Sequence, residues 1–292
     1  MRLHLVDGTY ELYRAHFSPR PGHQTQAGKD AKATVGVVAS LLSLISDAAE
    51  AVTHIAVAFD NPIRSFRNDL FAGYKSDEGV PPELRAQFDA VEDAVRAIGV
   101  TVWSMQQWEA DDAIATGAKL FVDQVEQVRI MSPDKDFGQC LQGERVVQID
   151  RRQQKLIDEA ALRKLRGIAP ASLPDFLALT GDTADGIPGL PGFGEKSAGE
   201  LLAVYGHLEL IPEHAHQWTA KVRGAKTLAA TLAERREDAL FYRKLATLVN
   251  DVPLANDLEQ LRWQGVPRTR FEAWCSELGV TTLRSVPKRW TA

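Results

Sequence analysis

Cysteine is almost missing from this chain: Cys140 and Cys275 are its only two. That excludes a disulfide framework and a cysteine-rich zinc site. Long apolar runs are missing as well. The longest nearly apolar stretch, residues 35–45, is interrupted by Gly36, Ser40 and Ser43 and is too short to span a bilayer. Near the N-terminus, Asp7 stands where a secretion signal needs its apolar segment. No tandem repeat and no low-complexity tail occurs. An excess of positive charge is lacking too, and a net charge of −5 argues at first sight against nucleic acid as a partner. The rest is ordinary globular composition, 45% hydrophobic and 25% charged. Its 292 residues suffice for one large domain or two smaller ones. The expectation is a cytoplasmic, monomeric enzyme or binding protein that does not enter a membrane.

What the chain does have is acids at particular places. Trp108-Glu109-Ala110-Asp111-Asp112-Ala113-Ile114 puts three carboxylates within four residues, with no basic residue nearer than Lys119. Like charges this close repel unless a cation sits among them. A helix start with acids on the positive end of its dipole explains the stretch equally simply. Elsewhere, short apolar runs end in acids. Leu3–Val6 ends at Asp7-Gly8, His54–Phe59 ends at Asp60, and Val128–Met131 is followed by Asp134 and Asp136. Each run reads as a buried strand. Between them, Val35, Val38, Leu41, Leu42 and Ile45 mark one helix. Leu84, Phe88, Val91, Val95 and Ile98 mark another. Strands alternating with helices predict a mostly parallel sheet, and such sheets bind ligands beyond the carboxyl ends of their strands. One edge would then collect these acids. After about Asp158 strand-like runs give way to short helical segments with Gly and Pro between them. The loop Gly181–Gly189 adds Asp182 and Asp185. The expected domains are an α/β one over 1–158 and a helical one over 159–292.

Singly, each of these nine acids also fits a turn or a helix cap. Together they are harder to explain without cations, since no matching bases are evident around them. No His-rich or Cys-rich ligand set accompanies them, so hard oxygen ligands point to Mg²⁺ or Mn²⁺. Two such ions would activate a water and stabilise the leaving oxygen in phosphoryl transfer. With the nine acids set aside, the rest of the chain is mildly basic, and the objection to nucleic acid weakens. Arg64, Arg67 and Lys75 are interleaved with Phe66, Phe71 and Tyr74. That is the texture of a single-strand channel, although a solvated surface helix fits it equally well. Gly192-Phe193-Gly194 opens a helix carrying Glu195 and Lys196. There, backbone N–H groups can approach a phosphate. With Ile187-Pro188-Gly189 before it and Leu201-Leu202 after it, the stretch reads as a helix-hairpin-helix over about 186–204, a grip on duplex backbone.

Several motifs now stand together. They are Leu5-Val6-Asp7-Gly8 with Tyr13-Arg14, Phe59-Asp60, Ser65-Phe66-Arg67, Gly73-Tyr74-Lys75, Glu109-Ala110-Asp111-Asp112, Asp134-Lys135-Asp136, Thr180-Gly181-Asp182 with Asp185, and Pro191-Gly192-Phe193-Gly194-Glu195-Lys196. With them the chain resembles the flap-endonuclease-like 5′-nuclease family. The likeness is strongest to the 5′→3′ exonuclease domain of bacterial DNA polymerase I and its stand-alone paralogues, and it runs from Leu3 to about Leu254. With no polymerase domain following, the expectation is a stand-alone nuclease. The resemblance implies a PIN/5′-nuclease-like α/β fold with a mostly parallel central sheet flanked by helices. A helical arch would cover 61–82, mobile until it meets a 5′ single strand. The resemblance also implies a metal-dependent nuclease acting on DNA flaps, nicks and 5′ ends, with RNA primers as further candidates, in replication or repair. It would leave 5′-phosphate and 3′-hydroxyl ends. By position, Asp7, Asp60, Glu109, Asp111 and Asp112 would hold one ion, and Asp134, Asp136, Asp182 and Asp185 the other. Lys75 and Arg14 would contact the scissile phosphate. Arg64, Arg67 and Tyr74 would meet the single strand, and Gly192, Gly194 and Lys196 the duplex. K⁺ is implied at the helix-hairpin-helix.

Two positions depart from the family pattern. Glu78 stands where the family often has an arch Arg. Gly186 stands where it has Asn, a replacement expected to matter little. Two other readings are a PIN-like ribonuclease, which predicts no helix-hairpin-helix, and a non-catalytic DNA-junction-binding protein, which predicts loss of the acids.

Overall fold

The computed structural model describes residues 1–291. In chain order its strands are β1 (Arg2–Asp7), β2 (His54–Asp60), β3 (Thr101–Met105), β4 (Gln127–Met131), β5 (Val146–Asp150), β6 (Lys155–Ile157) and a short pair, β7 (Val266–Pro267) and β8 (Trp290–Thr291). Its α-helices begin with α1 (Gly8–His16), α2 (Lys32–Ser46), α3 (Phe66–Leu70), α4 (Pro82–Arg85), α5 (Phe88–Ala97) and α6 (Ala110–Phe121). They continue with α7 (Glu159–Arg166), α8 (Leu173–Thr180), α9 (Glu195–Tyr205), α10 (Ala225–Glu234), α11 (Arg236–Ala246) and α12 (Arg268–Glu277). Among the described residues no helix is long and apolar enough to cross a membrane.

The chain forms two compact units, each made of separate stretches. Unit 1 comprises Met1–Ser65, Asp77–Ser132 and Asn250–Ala292; unit 2 comprises Phe66–Ser76 and Pro133–Val249. These limits differ from a boundary near 158: unit 2 begins at Pro133 and takes in Phe66–Ser76, and the last stretch returns to unit 1. There Val252 N–H donates to Thr116 Oγ1, Trp263 Nε1 donates to the Ile98 carbonyl, and Asn256 Oδ1 accepts from Trp103 Nε1.

Unit 1 is a parallel sheet in the order β3-β2-β1-β4 with helices packed on it. The β-branched and aliphatic runs Leu3-Leu5-Val6 and Ile55-Val57-Phe59 are fully buried, as strands covered on both faces require. In register, Asp7 pairs with Ala58 and Val6 with Met131, so the acid-bearing ends of β1 and β2 lie at one edge. Helix α2 buries Val37, Val38 and Leu41, and α6 packs on β1, β2 and β3. The helix expected over Leu84–Ile98 is broken in two. Between α4 and α5, Gln87 is 1% exposed, and its amide accepts from Thr34 N–H and Oγ1 and donates to Asp30 and to the Glu83 carbonyl. A buried amide that can satisfy the start of α2 is worth more than two further residues of helix.

Unit 2 contains the antiparallel β5–β6 ribbon and helices α7 to α11 around a core of Leu173, Phe176, Leu177, Leu201, Leu202 and Leu245, with Phe71 packed against it. Neither β5 nor β6 stands out in the apolar pattern of the sequence. Helices α8 and α9 are joined by a hairpin over residues 181–194; the helix-hairpin-helix expected over about 186–204 thus begins earlier, with α8 as its first helix.

Candidate active site

In unit 1 the acids are held by local hydrogen bonds at strand ends. Asp7 ends β1 and caps α1: Oδ1 accepts from Tyr10 N–H at 2.8 Å, and Oδ2 accepts from Ser132 Oγ at 3.0 Å. Gly8 follows because a Cβ there would stand 2.5 Å from the Phe59 ring and 2.7 Å from the Ala58 carbonyl. Asp60 ends β2, and its Oδ1 accepts from Ala110 N–H at 2.7 Å. Glu109 is buried at the start of α6, with Oε1 accepting from Ser65 Oγ at 2.6 Å. Asp112, fully buried, accepts from Glu109 N–H at 3.0 Å. One of its oxygens therefore does the capping work that the simpler reading of this stretch proposed. Asp111 is half-buried beside it. Among the described residues no three acids of unit 1 bring ligand oxygens as close together as the cluster of unit 2 does.

In unit 2 the structure brings Asp136, Asp182 and Asp185 together, one oxygen of each lying within 4.8 Å of the others. Asp134 stands just before them and accepts from Asp136 N–H at 2.9 Å. Asp136 is 5% exposed, and its Oδ1 is buried with no hydrogen-bond partner. Burial first, then the charges of Asp134, Asp185 and Asp182, raise the Asp136 carboxyl well above the usual range, against a smaller opposing effect of Lys135. A buried carboxylate with an orphaned oxygen, grouped with two further carboxylates, fits a hard cation.

This cluster does have matching bases, contrary to the expectation from sequence. Lys135 Nζ lies 2.6 Å from Asp182 Oδ2, and Lys75 Nζ lies 3.2 Å from Asp185 Oδ1. Burial alone would lower the Lys135 ammonium, but its hydrogen bond to Asp182 and the surrounding acids raise it overall. Lys135 was legible only as the middle of Asp-Lys-Asp; its partner is remote in sequence.

The arch expected over about 61–82 was to be mobile until it met a single strand, and to contact it through Arg64, Arg67 and Tyr74. Its residues 66–76 are docked within unit 2. Arg67 is 1% exposed; its Nε donates to the Leu245 carbonyl at 2.9 Å and its Nη2 to the Thr247 carbonyl at 2.8 Å. Those bonds commit it to structure, not to a nucleic acid. Tyr74 is buried too, its hydroxyl 3.3 Å from Asp185 Oδ2, and Lys75 N–H donates to the Asp185 carbonyl at 3.1 Å. Gly186 matters more than expected here. It has φ +74, and a Cβ would stand 2.0 Å from the Gly73 carbonyl oxygen. An Asn side chain would collide with that backbone. Arg64, in unit 1, is exposed.

Arg14 extends from α1 with Nη2 shared between Glu11 and Ser40 Oγ. Glu11 is 1% exposed and also accepts from Ser40. Neither partner was evident from sequence, although Glu11 and Arg14 are one turn apart. At the hairpin, Lys196 is 90% exposed, at 3.9 Å from Glu200. Gly194 N–H donates to Ser197 Oγ at 3.0 Å, so that amide is already used. Gly192 holds a turn at φ +85.

Residues 2–167 match the family described as 5′-3′ exonuclease, N-terminal resolvase-like domain. Residues 168–269 match 5′-3′ exonuclease, C-terminal SAM fold. The chain is 34% identical over 289 residues to DNA polymerase I of Mycobacterium leprae, covering 97% of this chain and 31% of that protein. It is 36% identical over 273 residues to DNA polymerase I of Pseudomonas aeruginosa, covering 90% and 29%. The chain thus spans roughly a third of the length of these curated relatives. Among solved structures it resembles the bacteriophage T5 flap endonuclease complex with DNA and metal ions, with a TM-score of 0.64, 17% identity, and coverage of 96% of this chain and all of that one.

Proposed function

The chain belongs to the 5′-3′ exonuclease family, and from that premise we propose that it is a metal-dependent 5′→3′ exonuclease and structure-specific 5′-flap endonuclease. Its substrates would be DNA with 5′ flaps, nicks or 5′ ends, RNA primers included, cut to 5′-phosphate and 3′-hydroxyl products in replication or repair. The proposal extends to a cytoplasmic monomer, with residues 1–158 supplying most of the catalytic acids and 159–292 supplying Asp182, Asp185 and the DNA-binding hairpin.

The observation that carries it is the trio Asp136, Asp182 and Asp185 with the orphaned Asp136 Oδ1, in a chain of this family. Mg²⁺ or Mn²⁺ suits this all-oxygen donor set. We assign one ion to Asp134, Asp136, Asp182 and Asp185, and the other to Asp7, Asp60, Glu109, Asp111 and Asp112; turnover would need both. When bound, such ions activate a water and stabilise the leaving oxygen of an in-line displacement. The chain's own residues hold these acids still. Tyr10 N–H and Ser132 fix both oxygens of Asp7, Ser65 fixes Glu109, and Ala110 N–H fixes Asp60. Oriented carboxylates need little rearrangement when charge develops.

Lys75 and Arg14 would bind phosphate oxygens. Arg14 is pre-aimed because Glu11 and Ser40 hold its Nη2. Arg64 would meet the single strand. The exposed Lys196 and the turn at Gly192 would meet duplex backbone; with Gly194 N–H used by Ser197, the contact falls to Lys196 and the next amides of α9. K⁺ bound by hairpin carbonyls belongs to the same reading.

The test is direct. A 5′-labelled flap, a nicked duplex and a blunt duplex are incubated with Mg²⁺ and the products mapped. Cleavage near the flap junction and stepwise release from the nick are expected. No cleavage of any of the three, with the protein folded, would refute the reading.

A further inference from the structure

Asp182 has both oxygens committed. Oδ1 accepts from Ala184 N–H at 3.1 Å and so shapes its loop, while Oδ2 meets Lys135 Nζ at 2.6 Å. Asp136, one of whose oxygens has no partner, brings a carboxylate oxygen within 4.8 Å of one of Asp182's. A hard divalent ion joined to all three carboxylates needs an Asp182 oxygen at about 2.0–2.6 Å. The loop depends on Oδ1, so Oδ2 is the one to give. An ammonium hydrogen-bonded to Oδ2 takes one of that oxygen's two lone-pair sites, and a divalent ion bound to the same oxygen would stand close enough to repel it. Lys135 is 40% exposed while Asp182 is 4% exposed, so the lysine can leave toward water and the acid cannot.

We propose that Lys135 is a built-in counter-ion of the Asp136/Asp182/Asp185 cluster, displaced when a divalent ion binds, and that it thereby sets the affinity of the cluster for that ion. This rests on the reading of the cluster as an ion site. The exchange is one protonated amine for one divalent cation. It makes no covalent bond and leaves the protonation of the acids to the ion. Lys135 suits the task better than Lys75, whose pairing with Asp185 is longer and accompanied by a backbone bond from the same residue.

The experiment is a calorimetric titration of the full chain with Mn²⁺, without DNA. Wild type is compared with Lys135→Met, Lys135→Arg, Asp182→Asn and Lys164→Met, the last removing an exposed lysine on α7. The binding step missing in Asp182→Asn identifies the cluster. At that step Lys135→Met should bind about tenfold more tightly, equivalent to ~1.4 kcal/mol. Lys135→Arg should stay near wild type, and Lys164→Met should not change. In EDTA, Lys135→Met should melt below wild type, since Asp182 loses its ammonium and Lys75 is left to offset the three carboxylates. Should Lys135→Met not fold, Lys135→Gln gives the same comparison. Equal or weaker Mn²⁺ binding by the Met or Gln variant would overturn the proposal, as would an equal gain in Lys164→Met, which would mean net charge alone acts. If Asp182→Asn removes no binding step, the cluster is not an ion site, and the metal reading fails along with the proposal.

Discussion

Replacing Asp136 with Asn removes one charge and keeps the side chain's shape. In the folded protein this carboxyl is 5% exposed with an unpartnered oxygen. Burial, followed by the charges of Asp134, Asp185 and Asp182, raises its pKa well above the usual range. The sign follows by linkage. A folded value above the unfolded one, near ~3.9, gives stability that is complete below the unfolded value and lost as pH rises through the folded value. Asn has no such loss. In EDTA the variant should therefore match wild type near pH 4 and exceed it increasingly toward pH 9. An unsatisfied buried polar group costs ~1–3 kcal/mol. At ~2–4 °C per kcal/mol for a chain of this size, the gap should reach about 2–12 °C. A divalent ion reverses the order. At a hundred times its dissociation constant it adds ~2.7 kcal/mol to wild type, and the variant should lose the share due to this cluster. Turnover on a labelled flap should fall ~10²-fold or more, with flap binding nearly intact. Melting curves from pH 4 to 9, in EDTA and in Mg²⁺, together with single-turnover cleavage, measure all of this. A variant no more stable than wild type at pH 9 in EDTA would refute the reasoning. So would one that keeps the full Mg²⁺ shift.

Lys75→Ala should lower single-turnover cleavage by ~10²-fold while flap affinity changes far less; a loss confined to affinity would make Lys75 a tether. Arg67→Met should cost ~3 kcal/mol in a denaturant melt, because it strips hydrogen bonds from the Leu245 and Thr247 carbonyls, yet leave the flap affinity of the folded fraction unchanged. Glu11→Gln should reduce turnover in the wild type but have no further effect in an Arg14→Ala background, as a double-mutant cycle would reveal. Flap binding should fall steeply with salt and be nearly equal for two unrelated sequences, since the proposed contacts go to phosphates; a strong preference between them would contradict this.

The strands that carry the acids were legible because burial on both faces demands continuous apolar runs, and Leu3–Val6 and His54–Phe59 have no other way to be satisfied. Parallel pairing then sends the ends of neighbouring strands to the same edge, so Asp7 and Asp60 needed no coordinates to be suspected. The hairpin between α8 and α9 was legible for a similar local reason, its glycines and prolines. Where several partners compete for one side chain, the sequence alone leaves the outcome open. The pattern Leu84–Ile98 cannot say that Gln87 serves Thr34 better than it serves its own helix. Arg67 among aromatics reads the same whether it faces a nucleic acid or the carbonyls after α11, and only packing decided that it is buried. Gly186 looked like a tolerated replacement until the Gly73 backbone was found against it. Lys135 met Asp182 through the folding of unit 2 around its own core, and Lys75 met Asp185 the same way. Apolar periodicity is a property of neighbours in the chain. The pairing of charges depends on distances through space, which only the tertiary fold sets.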